Sequence, residues 1–325
     1  TYAYNEVQAT KYIEKEIVEG QWVKFPQGSD PKKLVEAIEG FGTEWCTEGE
    51  STAEIQLRQG DFYIYFSQDA EGNPVNPRIA IRMNGHHQIE EIRGIEANQE
   101  MDSYILESGV LEEKLEEFGD EGDRYRQRVE DMKRMTEIEK KVEKGEDLTK
   151  EDILFLYEVN REIEGFGYEK DPRIEGVRSK RDMKRDFAFL VDYYLSVDLE
   201  RGKLPSSDDI DDNLLVRLLL EKEYEKVVVK YLNIFTALNG DIANRLLVLG
   251  YSDTVASGID SFIVSDHRRI ANTLIDADEE ELVVRNLSKF RDLDSAIANR
   301  LIDKGSGGVV ARYLDNFSGL DHVAI

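Results

Sequence analysis

The chain of 325 residues contains one cysteine, six prolines, four histidines and two tryptophans. A single cysteine excludes an intramolecular disulfide framework and leaves a cysteine-based zinc site short of ligands. No apolar run approaches the ~20 residues that cross a bilayer. No basic segment followed by a short apolar stretch opens the chain, so nothing there signals export. Basic residues are also in deficit: 42 Lys and Arg stand against 68 Asp and Glu, a net charge of −26. A field of that sign repels polyanions, which argues against nucleic acid and anionic membranes and favours basic proteins or peptides as partners. No phosphate-cradling glycine loop, calcium-binding loop, His-Glu-x-x-His helix or serine elbow occurs, and no cofactor or metal is expected. Asn286-Leu287-Ser288 and Asn316-Phe317-Ser318 match a glycosylation triplet but fall in predicted helices. The expectation is an acidic, soluble, cytoplasmic protein.

What is present allows two domains, each able to bury a core. Residues 1–105 read as a small α+β domain. Tyr4 to Val18 has a helical period, and Ser29-Asp30-Pro31 is a helix start. Ser51 with Glu54 fits a capping box for a helix ending near Gly60. The period then changes to two. Phe62, Ile64 and Phe66 alternate with Tyr63 and Tyr65; Arg78 to Met83 alternates again; Asn84-Gly85 predicts a tight hairpin turn; a third strand follows from Gln88 to Ile95. The fold expected is a three-stranded antiparallel meander with helices on one face. Residues 106–204 read as a charged helical middle region. Stretches such as Arg124 to Lys144 are polar nearly all round, the pattern of a solvated helical hairpin.

After Pro205-Ser206-Ser207-Asp208-Asp209 the chain becomes self-similar. Ile242-Ala243-Asn244, Ile270-Ala271-Asn272 and Ile297-Ala298-Asn299 recur at spacings of 28 and 27, with Leu214 and Ile325 extending the column by 28 on either side. A second set runs Val228, Val255, Val283, Val310, each closing seven residues later on Phe235, Phe262, Phe290 or Phe317. Leu232, Ile259, Leu287 and Leu314 lie between them. The pattern predicts an α-solenoid over residues 205–325, each unit a short helix, a turn, then a longer helix ending on Phe. The Asn column is expected to form a side-chain ladder between units. Asp266-His267 and Asp321-His322 share a repeat position, where Asp suits a helix cap and His reads as helix-start decoration. Ile325 falls on the first apolar position of a further helix. That leads us to expect more repeats in the natural protein, or end-to-end self-association through this repeat.

Chemistry-bearing candidates are few. Cys46, in Gly42-Thr43-Glu44-Trp45-Cys46-Thr47, precedes a predicted helix whose dipole favours thiolate, and His86 or His87 could pair with it. Arg78, Arg82 and Arg93 converge on one sheet face, which would suit a carboxylate or phosphate ligand. No third residue completes a catalytic set, so the sequence points away from an enzyme and toward a protein-binding or scaffold module. The enzyme or small-ligand site around Cys46 and the arginine face stands as the alternative.

The stretch from Gly42 to Gln99 carries Trp45-Cys46-Thr47, then Gly60-Asp61-Phe62-Tyr63-Ile64-Tyr65, then Pro77-Arg78-Ile79-Ala80-Ile81-Arg82, and finally Arg93-Gly94-Ile95 to Asn98-Gln99. In these motifs it resembles the PcfJ-like proteins of plasmids and phages. That resemblance implies a core of a cysteine-containing motif, a helix and two or three strands, and no catalytic role. The repeats resemble HEAT-like and armadillo-like solenoids, with a shorter period. An activated Cys46 predicts alkylation well below the ordinary thiol range, checked by a thiol-reactivity titration across pH; a thiol silent up to high pH removes the enzyme alternative.

Overall fold

A computed structural model describes residues 19–41, 49–69, 71–95, 103–166, 170–197 and 206–319. The expected helix over Tyr4 to Val18, Cys46 and Ile325 lie outside them. The chain divides into two compact units: residues 1–140 with 163–173, and residues 141–162 with 174–325. The residues read from sequence as a separate middle region are thus shared between the two.

Unit one is built on a four-stranded antiparallel sheet, not three, in the order β1 (Gly20–Phe25), β2 (Phe62–Gln68), β3 (Pro74–Met83), β4 (Ile89–Gly94). β1 pairs with β2 over the register Gly20↔Ser67 to Phe25↔Phe62. Between them run α1 (Pro31–Ile38) and α2 (Glu50–Gln59). Asp30 caps α1 by accepting from the Lys32 N–H at 3.1 Å, with Pro31 in the first turn. The capping box expected of Ser51 and Glu54 is absent, because α2 begins two residues earlier than that cap requires, at Glu50 after Gly49, with no side-chain cap.

The β3–β4 turn also differs from the expected two-residue Asn-Gly hairpin. Asn84 opens the turn, its carbonyl accepting from the His87 N–H at 3.0 Å, and His87 carries the left-handed φ of 58°. The Asn84 side-chain oxygen then accepts from the N–H groups of His86 and Gln88. This is the three-residue loop in which a turn is followed by a left-handed residue.

Helices cover both sheet faces, correcting the one-face expectation. Phe25, Phe62, Ile64, Phe66 and Ala80 pack with Leu34 and Ile38 of α1 and Ala53 and Leu57 of α2. On the other face, Tyr65, Ile79, Ile81, Met83, Ile89 and Ile92 pack with three further helices. These are α3 (Ser103–Ser108), α4 (Val110–Glu117) and α5 (Asp120–Lys144), contributing Ile105, Leu111, Leu115 and Tyr125. The long charged helix α5 is not solvated all round: Tyr125, Met135 and Ile138 are buried, and buried Asp131 accepts from the Glu164 N–H at 2.9 Å.

Unit two starts with α6 (Lys150–Leu156), α7 (Pro172–Arg178), α8 (Met183–Leu190) and α9 (Tyr193–Ser196). Four helix pairs follow: α10 (Asp212–Glu221) with α11 (Glu225–Lys230), α12 (Gly240–Val248) with α13 (Ser252–Ser257), α14 (Val264–Asp276) with α15 (Glu280–Arg285), and α16 (Ser295–Asp303) with α17 (Gly307–Arg312). α10 packs on α12, α12 on α14 and α14 on α16. The buried columns are those of the sequence: Ile242, Ala243 and Leu246 match Ile270, Ala271 and Leu274, then Ile297, Ala298 and Leu301. In the first pair the buried residue is Leu215 rather than Leu214.

Two local features differ from the pattern expected of the repeats. The second helix of each pair is the shorter one, six residues, and Phe235, Phe262 and Phe317 sit in extended backbone after a 3₁₀ turn. The Asn ladder is replaced by another. The Asn244 side-chain oxygen is buried without a hydrogen-bond partner, and Asn272 accepts from Arg300 at 3.0 Å. Contacts between helix pairs come instead from the residue before each Phe: Ser261 donates to the Leu232 carbonyl at 3.0 Å, Lys289 to that of Ser257 and Asn316 to that of Leu287, both at 2.6 Å.

The turn inside each pair is a recurring left-handed cap. Glu223, Gly250, Asp278 and Gly305 have φ of 62°, 86°, 58° and 92°. The next residue's N–H in each case reaches back to the carbonyls of Leu219, Leu246, Leu274 and Leu301, at 2.8, 3.0, 2.9 and 2.9 Å. Glycine takes this conformation freely, whereas Glu223 and Asp278 take it against a steric penalty. Gly250→Ala is therefore expected to cost about 1 kcal/mol and Glu223→Gly to add about 0.5 kcal/mol, read as opposite shifts of the urea midpoint at unchanged m value.

Candidate functional site

The arginine face of the sheet is assembled as β3 and β4 dictate. Arg82 stands opposite Glu91 in the ladder, and Arg93 opposite Ala80. The Arg82 guanidinium meets Glu90 at 3.3 Å and Glu91 at 3.6 Å, and donates to the Gln56 side chain on α2 at 2.9 Å. Arg93 pairs with the same Glu91. Arg78 is half-buried on this face. The structure thus brings Arg82 and Arg93 together, but around carboxylates of their own strand pair. Such matched charges bind each other before they bind an outside anion.

His86 and His87 lie exposed on the β3–β4 turn, where the loop geometry aims them at solvent. Their proposed partner Cys46 is outside the described residues, so no Cys–His geometry is on view.

A polar cluster in unit two escaped the sequence reading. Tyr157 follows α6 and is fully buried; its hydroxyl donates to Asp186 of α8 at 2.8 Å. Arg181, in the loop before α8, clasps the same carboxylate, Nε to Oδ2 at 2.8 Å and Nη2 to Oδ1 at 2.5 Å. Glu158, also buried, takes a left-handed φ of 51° and pairs with Arg178 at 3.1 Å and Lys230 at 3.3 Å. Tyr231 donates to the Tyr157 carbonyl at 2.9 Å, and the rings of Tyr157, Phe187 and Tyr231 stack edge-on or tilted. Burial and the adjacent Asp186 carboxylate push the Tyr157 hydroxyl far above the ordinary phenol range. Both oxygens of Asp186 are committed, so the cluster ties α6, α7 and α8 to the first helix pair rather than exposing a reactive group. The sequence signal for it was weak. Arg181 and Asp186 are five residues apart, but Glu158 and Lys230 are separated by 72.

Unit one carries an open groove of about 410 Å³ lined by Glu19, Gly20, Tyr65, Gln68, Ser108, Val110 and Glu113. Burial, then the Glu113 carboxylate, raises the Tyr65 hydroxyl above its usual value, so it stays protonated at neutral pH. Among the described residues, no group of three or more His, Cys, Asp or Glu side chains could hold a metal ion, and no helix is long and apolar enough to cross a membrane. Comparison of the chain with models of known protein families, with curated proteins and with solved structures finds no match.

Removing one partner of a buried ion pair leaves the other charge uncompensated. Arg181→Met is accordingly expected to lower stability by about 3 kcal/mol in chemical denaturation, and Asp186→Asn in the same chain to restore part of it through the coupling between the two.

Proposed function

We propose that the helix pairs of residues 206–319 stack as a short α-solenoid and serve as a binding module for a protein or peptide of basic character. The supporting observation is at the end of α12. Val248 is 87% exposed and Leu249 48% exposed. The same repeat positions hold Asp276 and Ala277 in the next pair, then Asp303 and Lys304. A helix end that folds with polar residues elsewhere gains nothing for folding from an exposed Val-Leu step, and exposed apolar side chains rimmed by polar ones suit an interface. The chain's net charge of −26 steers basic ligands toward its surface.

The alternative site around Cys46 and the arginine face has no such support, since Arg82 and Arg93 are met by Glu90 and Glu91. Deleting the repeats would be a poor test, because Lys230 and Tyr231 complete the buried cluster around Tyr157 and Glu158. Point substitution avoids that. Val248→Ser with Leu249→Ser should leave the thermal midpoint unchanged. Binding to an array of Lys- and Arg-rich peptides should weaken by about tenfold or more, given the apolar area two such side chains bury. Equal binding by the parent and the variant, or no peptide bound by the parent, would refute the proposal.

A further inference from the structure

The connectors between helix pairs are joined in two different ways. Between the first two, Leu238 lies parallel to Phe262: the Leu238 N–H donates to the Ser261 carbonyl and the Ile263 N–H to the Leu238 carbonyl, both at 2.9 Å. Between the last two, Leu293 and Asp294 pair in parallel with Phe317 and Ser318, forming β5 (Leu293–Asp294) and β6 (Phe317–Ser318). The middle junction is different, because α14 begins early, at Val264, and uses up the backbone that would have paired. There the N–H of Arg291, the residue after Phe290, donates to Nδ1 of His267 at 3.1 Å. It is the counterpart of the Ile263 N–H, with an imidazole nitrogen standing where a carbonyl oxygen stands in the first junction.

His267 is 2% exposed, and its Nε2 lies 3.2 Å from the Phe262 carbonyl. A backbone N–H can only donate and a carbonyl can only accept, so the ring is neutral with its proton on Nε2. The ring meets that of Phe290 edge-on, centroids 6.0 Å apart. One side chain thus bridges the connectors on either side of the α14–α15 pair.

We propose that His267 is an acid-sensitive joint: protonating its imidazole removes the acceptor for the Arg291 N–H and releases the connector between α15 and α16 from α14. A carbonyl in the same place cannot be titrated, so the flanking junctions stay closed. Around the ring, Asp260 in the turn before Phe262 favours the cation, and Arg291 opposes it. On its own helix the neighbouring charges are engaged elsewhere: Asp266 accepts from the Gly240 N–H at 2.6 Å, and Arg268 pairs with Asp294 at 3.7 Å. Lys289, on the facing connector, donates to the Ser257 carbonyl. Burial dominates and holds the imidazole below its ordinary value of 6.5. The sign follows: the unfolded chain takes up this proton first, so the junction is fully secured above about pH 6.5 and loosens as pH falls toward the lowered value.

Nuclear magnetic resonance on the full chain tests this by following the His267 ring and the exchange of two amides. The expected result is the Nε2–H form at neutral pH. As pH falls from about 6.5 toward the lowered imidazole pKa, Arg291 protection, corrected for intrinsic rates, should fall by up to about tenfold per pH unit while Ile263 is unaffected. In His267→Asn, whose side-chain oxygen can accept but does not titrate, Arg291 should be protected independently of pH over that range. Arg291 protection unchanged through the His267 titration, or a ring carrying its proton on Nδ1, would overturn the proposal. The comparison of Arg291 with Ile263 in the parent chain decides the matter even where the Asn variant does not fold.

Discussion

A pair of short helices has an apolar stripe on each and nothing of its own to cover both, so each pair in residues 206–319 depends on the next. Ala243, Ala271 and Ala298 are fully buried in the first helices, and Val228, Val255, Val283 and Val310 in the second. α12 packs on α14, α14 on α16 and α13 on α15. Alanine at that column lets helix axes approach, and the Phe side chains fill the space where each connector crosses. Backbone groups impose the other half of the constraint. A connector buried between pairs must find partners for its N–H and C=O groups, and the neighbouring connector supplies them.

That requirement is met with a double period. The outer junctions use parallel backbone pairing, at Leu238 with Phe262 and Leu293 with Phe317, and each is preceded by a left-handed residue, Ala237 or Asp292. The contacts at the residue before Phe follow the same rhythm: Ser261 and Asn316 reach the equivalent carbonyls of Leu232 and Leu287, whereas Lys289 reaches Ser257. The middle junction trades a carbonyl for the imidazole of His267 because α14 extends one turn further than its counterparts. A longer first helix gains intrahelical hydrogen bonds at the expense of the connector, and the side chain of its fourth residue makes up the loss.

Legibility in the sequence followed the range of the interactions. β2, β3 and β4 showed in period two because turns join them directly. β1 did not, since its partner is across two helices and no hairpin motif marks the pairing. The repeat columns showed because self-comparison needs no structure, yet the helix lengths came out reversed: Phe marks the end of a unit without saying that its backbone is extended. The left-handed turns were hidden because only two of the four positions are glycine. His267 resembled a residue at a helix start, and nothing in the sequence points to the Arg291 N–H 24 residues on. Period two on β3 puts Arg78 and Arg82 on one side of the strand, but Glu90 and Glu91, which pair with Arg82, lie on the neighbouring strand. The cluster around Tyr157, Glu158 and Asp186 joins segments that share no motif.

Each helix pair depends for its stability on its nearest neighbours. Leu274 is buried in the middle of α14, which packs on both α12 and α16. Amide hydrogen exchange in a Leu274→Ala variant measures that dependence directly. If each pair holds its neighbours, protection falls in α12 and α16 as well as in α14, and the sheet of unit one is unaffected. Loss confined to α14 and α15, with α12 and α16 as protected as in the parent chain, would contradict it.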